Sequence, residues 1–104
     1  MFLSSAPAQP TLTSKPLSGT FNEGDIVILT CDSSNPPAIP GMTYNFFKED
    51  GSRADCVDSG NVCVFNPYTQ RTDDGNYTCQ AIGNGLTSAD SKELHLTPRG
   101  KSLL

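Results

Sequence analysis

The chain has 104 residues, 36% of them hydrophobic, with five Phe, three Tyr and no Trp. That suits one small domain with a thin core. Seven Lys plus Arg against eleven Asp plus Glu leave a net charge of −4, so there is no cationic footprint for a nucleic-acid backbone. No apolar run approaches the roughly twenty residues that cross a bilayer, and nine glycines with eight prolines argue against a helical bundle.

Met1-Phe2-Leu3, followed at once by Ser4-Ser5-Ala6-Pro7, is too short for a signal peptide. Met1 reads as an added start, and the chain as a piece of something larger. Residues 1-9 read as a loose leader or linker, 10-97 as the domain, and 98-104 as a linker or an appended tail.

Period-two patterning dominates the middle of the chain. A first strand is expected between Pro10 and Pro16, whose prolines suit a sheet edge. Ile26-Val27-Ile28-Leu29-Thr30-Cys31 is a β-branched strand entered from the turn Asn22-Glu23-Gly24-Asp25. The stretch from Asp32 to Gly41 holds Pro36, Pro37 and Pro40 and must be irregular, because proline supplies no ladder donor. Met42 to Lys48 reads as a strand ended by Glu49-Asp50-Gly51-Ser52. Arg53 to Val57 and Val62 to Phe65 are short extended runs around an Asp58-Ser59-Gly60-Asn61 loop. Gly75 to Ile82 is a strand, Gly83-Asn84-Gly85 a tight turn, and Ser91 to Thr97 alternates with Leu94 and Leu96 on one side. Seven or eight short strands and no credible helix predict an all-β, two-sheet antiparallel sandwich.

Four cysteines, Cys31, Cys56, Cys63 and Cys79, form an even set that favours disulfides and an oxidising compartment. Sequence alone leaves three pairings open. Zinc ligation would want a close pair such as Cys-x-x-Cys, whereas the nearest two cysteines here are seven apart. No metal or other cofactor is expected. An enzyme reading fares no better. The single histidine, His95, sits on an alternating Leu94-His95-Leu96 run, adjacent Asp73 and Asp74 diverge on a strand, and no glycine-rich phosphate loop precedes a helix.

The most specific motif is Asp73-Asp74-Gly75-Asn76-Tyr77-Thr78-Cys79, an Asp-x-Gly-x-Tyr-x-Cys pattern preceded by Val27-x-Leu29-x-Cys31. It resembles the immunoglobulin fold. The resemblance implies a bridge between Cys31 and Cys79 across the core, and a tyrosine corner at Tyr77 whose hydroxyl bonds backbone. Asp73 would accept hydrogen bonds in the same turn, which Gly75 relieves. It also calls for a Trp on the strand after the Pro-rich loop. That residue is missing, and Phe46 stands in its place as core. The 48-residue separation of Cys31 and Cys79 is short for variable-type domains and fits a constant-2 or intermediate set. Tyr44 to Asp50, Gly75 to Ala81, and Asn84-Gly85-Leu86 before Leu94-His95-Leu96 are similar to Fc-receptor-like and platelet-endothelial-adhesion-type leukocyte receptor domains. With the first two cysteines assigned, Cys56 and Cys63 are expected to staple a local loop.

The resemblance implies an extracellular protein-binding module of a cell-surface immune or adhesion receptor. Its partner would be an immunoglobulin, an MHC-like molecule, another immunoglobulin-superfamily receptor or a second copy, with no nucleic acid and no membrane insertion by this fragment. The alternatives are a spacer domain without a ligand, or a secreted decoy. Candidate contacts are Ser34, Asn35, Pro36 and Pro37 in the Pro-rich loop and Asn84, Gly85 and Leu86 in the later turn. The latter offers an apolar tip of the kind interfaces use as an anchor. The single Asn-x-Thr sequon, Asn76-Tyr77-Thr78, marks Asn76 as a candidate N-glycosylation site.

Overall fold

A computed structural model describes residues 6–34 and 39–100. Eight strands run in the order β1 (Thr11–Lys15), β2 (Val27–Asp32), β3 (Thr43–Lys48), β4 (Val57–Ser59), β5 (Val62–Phe65), β6 (Gly75–Gly83), β7 (Leu86–Thr87) and β8 (Leu94–Leu96). They form two antiparallel sheets. One has the order β1-β2-β5-β4, and in the other β3 pairs with β6, which pairs with both β7 and β8. The chain segment after β3 pairs with it at the Phe47–Arg53 bridge, then crosses to build β4 beside β5. The extra strands of a variable-type domain are therefore absent among the described residues.

Alternation explains why β2 and β6 are the backbone of the sandwich. Val27, Leu29 and Cys31 point inward from β2, and Tyr77, Cys79 and Ala81 from β6, each of them fully or almost fully buried. Their sheets close on the Cys31–Cys79 disulfide, with a Cα–Cα distance of 6.1 Å. Phe46 is buried and lies opposite Cys79 in the β3–β6 register, the place expected for it. Below it, Phe21, Tyr68, Phe65 and Tyr77 make a chain of edge-to-face contacts at 4.6, 5.4 and 5.7 Å. Such ring pairs contribute beyond their buried area. This aromatic column supplies bulk in a core that has no tryptophan.

The turn before β6 departs from the sequence expectation of no helix. Gln70–Asp73 forms a single helical turn, α1. Four residues cannot show a helical apolar period, and side-chain hydrogen bonds to near neighbours hold the turn instead. Asp73, buried, accepts from the Thr69 backbone N–H at 2.7 Å and from the Thr72 hydroxyl at 3.1 Å. The Tyr77 hydroxyl donates to the Asp73 carbonyl at 2.5 Å, which is the expected tyrosine corner. Tyr68 donates to Asp74 Oδ1 at 2.6 Å. Burial pushes both tyrosine hydroxyls well above their ordinary value, and the neighbouring aspartates push further in the same direction.

Two turns are tighter than expected. The hairpin between β4 and β5 closes on Gly60 and Asn61 alone, because Asp58 and Ser59 belong to β4. Gly83 likewise belongs to β6, and the next turn is Asn84-Gly85, with φ of 55° and 71°. Two positive φ values match the twist of a two-residue hairpin, and Asn-Gly is the pair that tolerates them.

The last strand is also shorter than the expected Ser91 to Thr97, because two serines interrupt it. Ser88 and Ser91 are buried, and their hydroxyls accept from the backbone N–H groups of Ala81 (2.9 Å) and Cys79 (3.0 Å). Side chains thus satisfy two β6 donors that a continuous strand would have paired with carbonyls. At the other end of the chain, Pro7 is buried and the Ala8 carbonyl accepts from the Ser33 hydroxyl at 2.6 Å. The described part of residues 1-9 lies against the sandwich.

Candidate binding surfaces

Three surfaces come from these elements. The first is the outer face of the β3–β6 sheet. In β3, inward Tyr44 and Phe46 alternate with outward Asn45 and Phe47; in β6, Asn76, Thr78 and Gln80 point outward between buried neighbours. Register sets Phe47 beside Thr78 and Asn45 beside Gln80. A groove of about 370 Å3 runs over this face, lined by Phe47, Glu49, Thr78, Gln80, Asp90 and Glu93, among others. The Arg53 guanidinium lies 5.6 Å from the centre of the Phe47 ring, within cation–π range. Gln80 donates to Asp90 Oδ1 at 2.9 Å, and the Lys48 ammonium is drawn to the Thr72 carbonyl at 2.8 Å. The groove therefore has an aromatic floor with acidic walls. Glu49 reaches over Gly75, whose φ of 144° is what requires glycine there; an added Cβ would stand 2.6 Å from Glu49 Oε1, a contact the exposed glutamate relieves by swinging away.

The second surface is the loop end. Ser34 is exposed, whereas Asn35, Pro36 and Pro37 lie outside the described residues. Asn84 and Gly85 are exposed and Leu86 is 40% exposed. Gly83, buried behind this turn, is packed by Met42, Ile39 and Pro7, whose side chains would approach an added Cβ to 2.8, 2.9 and 3.3 Å. The Pro-rich connection, the Asn84-Gly85 turn and the N-terminal segment thus meet at one end of the sandwich. Sequence reasoning named the turn but missed Ile39 and Met42, which carry no motif. Phe47 was missed as well, although the β3 alternation around inward Phe46 is the signal that places it outward.

The third is the sequon. Asn76 is half-buried, directly opposite His95 in the β6–β8 register, with its Oδ1 2.8 Å from His95 Nδ1. The Cys56–Cys63 disulfide forms as expected, spanning seven residues where the crossing segment enters β4. Among the described residues there is no cluster of His, Cys, Asp or Glu able to hold a metal ion, and no helix long and apolar enough to cross a membrane.

Comparison with known proteins gives the fold its relatives. Among solved structures the chain is similar to the full ectodomain of mouse nectin-like molecule 4, with 17% identity and a TM-score of 0.68, over 95% of this chain and 32% of that one. It is similar to murine CEACAM1b at 19% identity and a TM-score of 0.69, over 91% of this chain and 46% of the other. A chain from the complex of a mouse coronavirus receptor-binding domain with its murine receptor matches at 20% identity and a TM-score of 0.66, over 88% and 45% respectively. This chain spans a third to just under half of those chains' length. No curated protein sequence matches. The model of the immunoglobulin domain family matches residues 9–97, and with the sandwich, its central disulfide and the tyrosine corner in place, the chain belongs to that family.

Proposed function

We propose that this domain is an extracellular protein-binding module, one immunoglobulin-like bead of a cell-surface receptor or adhesion protein. The observation that carries the reading is the outer face of β3 and β6. It combines a half-exposed Phe47, an arginine stacked on it and an acid-walled groove on a sheet stiffened by disulfides. Aromatic residues and arginine are the side chains that anchor protein interfaces. The groove chemistry suits a partner presenting a Lys or Arg side chain. The loop end, with Ser34, Asn84, Gly85 and Leu86, adds a second contact zone. Two disulfides agree with an extracellular location, and the described fold offers no catalytic constellation.

The narrower reading, an Fc-receptor-like immune domain, rests on the three sequence segments alone. Its partners would be immunoglobulin, an MHC-like molecule or another immunoglobulin-superfamily ectodomain. Asn76 carries an N-glycan in this proposal. A sugar there would stand roughly 7 Å along the strand from Thr78, covering the end of the groove nearest Glu49 and steering partners toward the loop end.

The test is a surface-binding survey of the purified domain against immunoglobulin, class I-like molecules and adhesion ectodomains, repeated with Phe47→Ser and Arg53→Glu. Saturable binding weakened at least tenfold by either substitution supports the groove. Binding lost only on Leu86→Ser moves the site to the loop end. No response at high micromolar concentration favours a spacer domain. Mass analysis of protein secreted from eukaryotic cells reports directly on Asn76: an unmodified asparagine removes the glycan from the account.

A further inference from the structure

Asn84 is the only one of the chain's seven asparagines that is followed by glycine; the other six precede proline or a residue with a larger side chain. Glycine matters because its backbone nitrogen is unshielded, which leaves the preceding side-chain amide open to attack by it. Both residues are exposed at the tip of the β6–β7 hairpin. The closed turn blocks that attack. Asn84 has φ of 55°, in the left-handed region where ψ stands near about +47°. At that ψ the Cα–Cβ bond lies roughly 170° around the Cα–C axis from the bond to the Gly85 nitrogen. Cγ is thus held as far from the nitrogen as the chain allows. Bringing the two together needs ψ near about −120°, which a two-residue hairpin with positive φ at both positions does not contain.

We propose that Asn84 is a spontaneous modification site, converted to aspartate and isoaspartate through a cyclic imide when the β6–β7 hairpin opens. The Gly85 nitrogen gives its proton to water and bonds to Asn84 Cγ; the Cγ–Nδ2 bond breaks and ammonia leaves. Water then opens the ring. Cleavage between the nitrogen and Cγ leaves aspartate. Cleavage between the nitrogen and the main-chain carbonyl carbon leaves isoaspartate, with the chain running through Cβ and Cγ. One water is consumed and one ammonia released, and nothing is oxidised or reduced.

The fold keeps that opening local. β7 has two residues, both exposed, paired with β6 as Ile82↔Thr87 and Gly83↔Leu86. Just beyond it Ser88 is fastened: its N–H donates to the Ala81 carbonyl at 2.8 Å, and its hydroxyl accepts from the Ala81 N–H at 2.9 Å. On the other side Gly83 is buried. The exposed residues 84–87 therefore hang between two fixed points, and so short a segment opens far more often than the sandwich unfolds. Either product adds a negative charge beside Leu86. Isoaspartate also adds one atom to the main chain, which the tight turn cannot hold with Gly83 still opposite Leu86. The change falls on the loop-end contact zone and leaves the β3–β6 groove untouched, so it stands or falls independently of the groove reading.

Peptide mapping by mass, on the purified domain incubated at physiological temperature and mildly alkaline pH, tests the proposal. A gain of about 1 Da is expected at Asn84 before any other asparagine. Its rate should be roughly ten- to thirtyfold slower than in the same domain kept unfolded in guanidinium, the ratio following the fraction of time the hairpin is open. Thr87→Gly weakens β7 without touching Asn84 or Gly85 and should speed the folded reaction about threefold or more. Low guanidinium, below the unfolding transition, should change the rate little, because a local opening exposes little surface; this measurement needs no variant. No gain at Asn84 in the folded domain after several unfolded half-times overturns the proposal. So does conversion as fast folded as unfolded, a rate indifferent to Thr87→Gly, or one that climbs with guanidinium as steeply as global unfolding.

Discussion

Removing the small disulfide gives the sharpest test of how this core is held. Cys56 and Cys63 are seven residues apart, so the bridge closes an eight-residue loop, which the chain-entropy model values at about 2.5 kcal/mol. The Cys31–Cys79 bridge, spanning 48 residues, is worth about 4 kcal/mol on the same basis. Cys56→Ala breaks the short bridge while leaving the Cys63 sulfur in the core, where it is 1% exposed; only the partly buried Cys56 sulfur is removed with it, so loop closure is the larger part of what is lost. Guanidinium unfolding should show Cys56→Ala destabilised by about 2.5 kcal/mol, with a slightly steeper slope because the unfolded chain expands. For a domain of this size that corresponds to about 10–20 °C in melting temperature. Adding Cys63→Ala should cost about 1 kcal/mol more, the loss of one buried sulfur. A Cys56→Ala variant within 1 kcal/mol of the parent would refute the entropic account, leaving the bridge as a local clamp on β4. Faster amide exchange confined to Val57–Ser59 would then be its only trace.

Three further outcomes follow from the polar groups inside the fold. Ser91→Ala removes the hydroxyl that accepts from the Cys79 N–H beside the central disulfide; a buried donor left unsatisfied should cost about 1–3 kcal/mol in chemical denaturation, and a neutral result would mean water replaces the hydroxyl. Ser14, buried and facing inward from β1, has no partner for its hydroxyl among the described residues, so Ser14→Ala should raise stability by about 0.5–1 kcal/mol. A loss on that substitution would show the hydroxyl to be bonded. Finally, both Tyr68 and Tyr77 hold their protons more tightly folded than unfolded. Their contribution is complete below the ordinary tyrosine value of about 10 and is lost above it, as only the unfolded chain ionises. Stability should fall by about 2.7 kcal/mol per pH unit past that point and by half as much in Tyr77→Phe; an unchanged slope in that variant would remove Tyr77 from the effect.

What the sequence disclosed, and what it hid, divides along one physical line. β2 and β6 were legible because each has one face in the core, which writes a period of two that only a strand satisfies. Tyr77, Asp73 and Cys79 were legible because a turn, a hydrogen bond and a bridge fix their spacing within seven residues. Phe21 and Tyr68 were not, although both are almost completely buried. They sit in connections without periodicity, and only the closing of the two sheets brings them within 4.6 Å of each other. The shortening of the final strand was hidden for a related reason. Ser88 and Ser91 read as ordinary polar loop residues until their hydroxyls are seen standing in for carbonyls. Single-turn α1 depends on hydrogen bonds that Asp73 makes to Thr69 and Tyr77, outside the turn, rather than on an apolar period within it. The candidate contacts divide in the same way: the Asn84-Gly85 turn is local chemistry and was readable, whereas Ile39 and Met42 join it only through the packing around Gly83.

The chemistry of the β3–β6 face sets how a partner is recognised there. The β3–β6 face is polar and acid-walled around an aromatic floor. Specificity there would come from matched charge and hydrogen bonds, with rates that fall as salt rises. Raising ionic strength should therefore weaken binding at the groove, measured as a salt series in the surface-binding survey. Groove binding that holds its strength in high salt would remove the charge matching on which that reading depends.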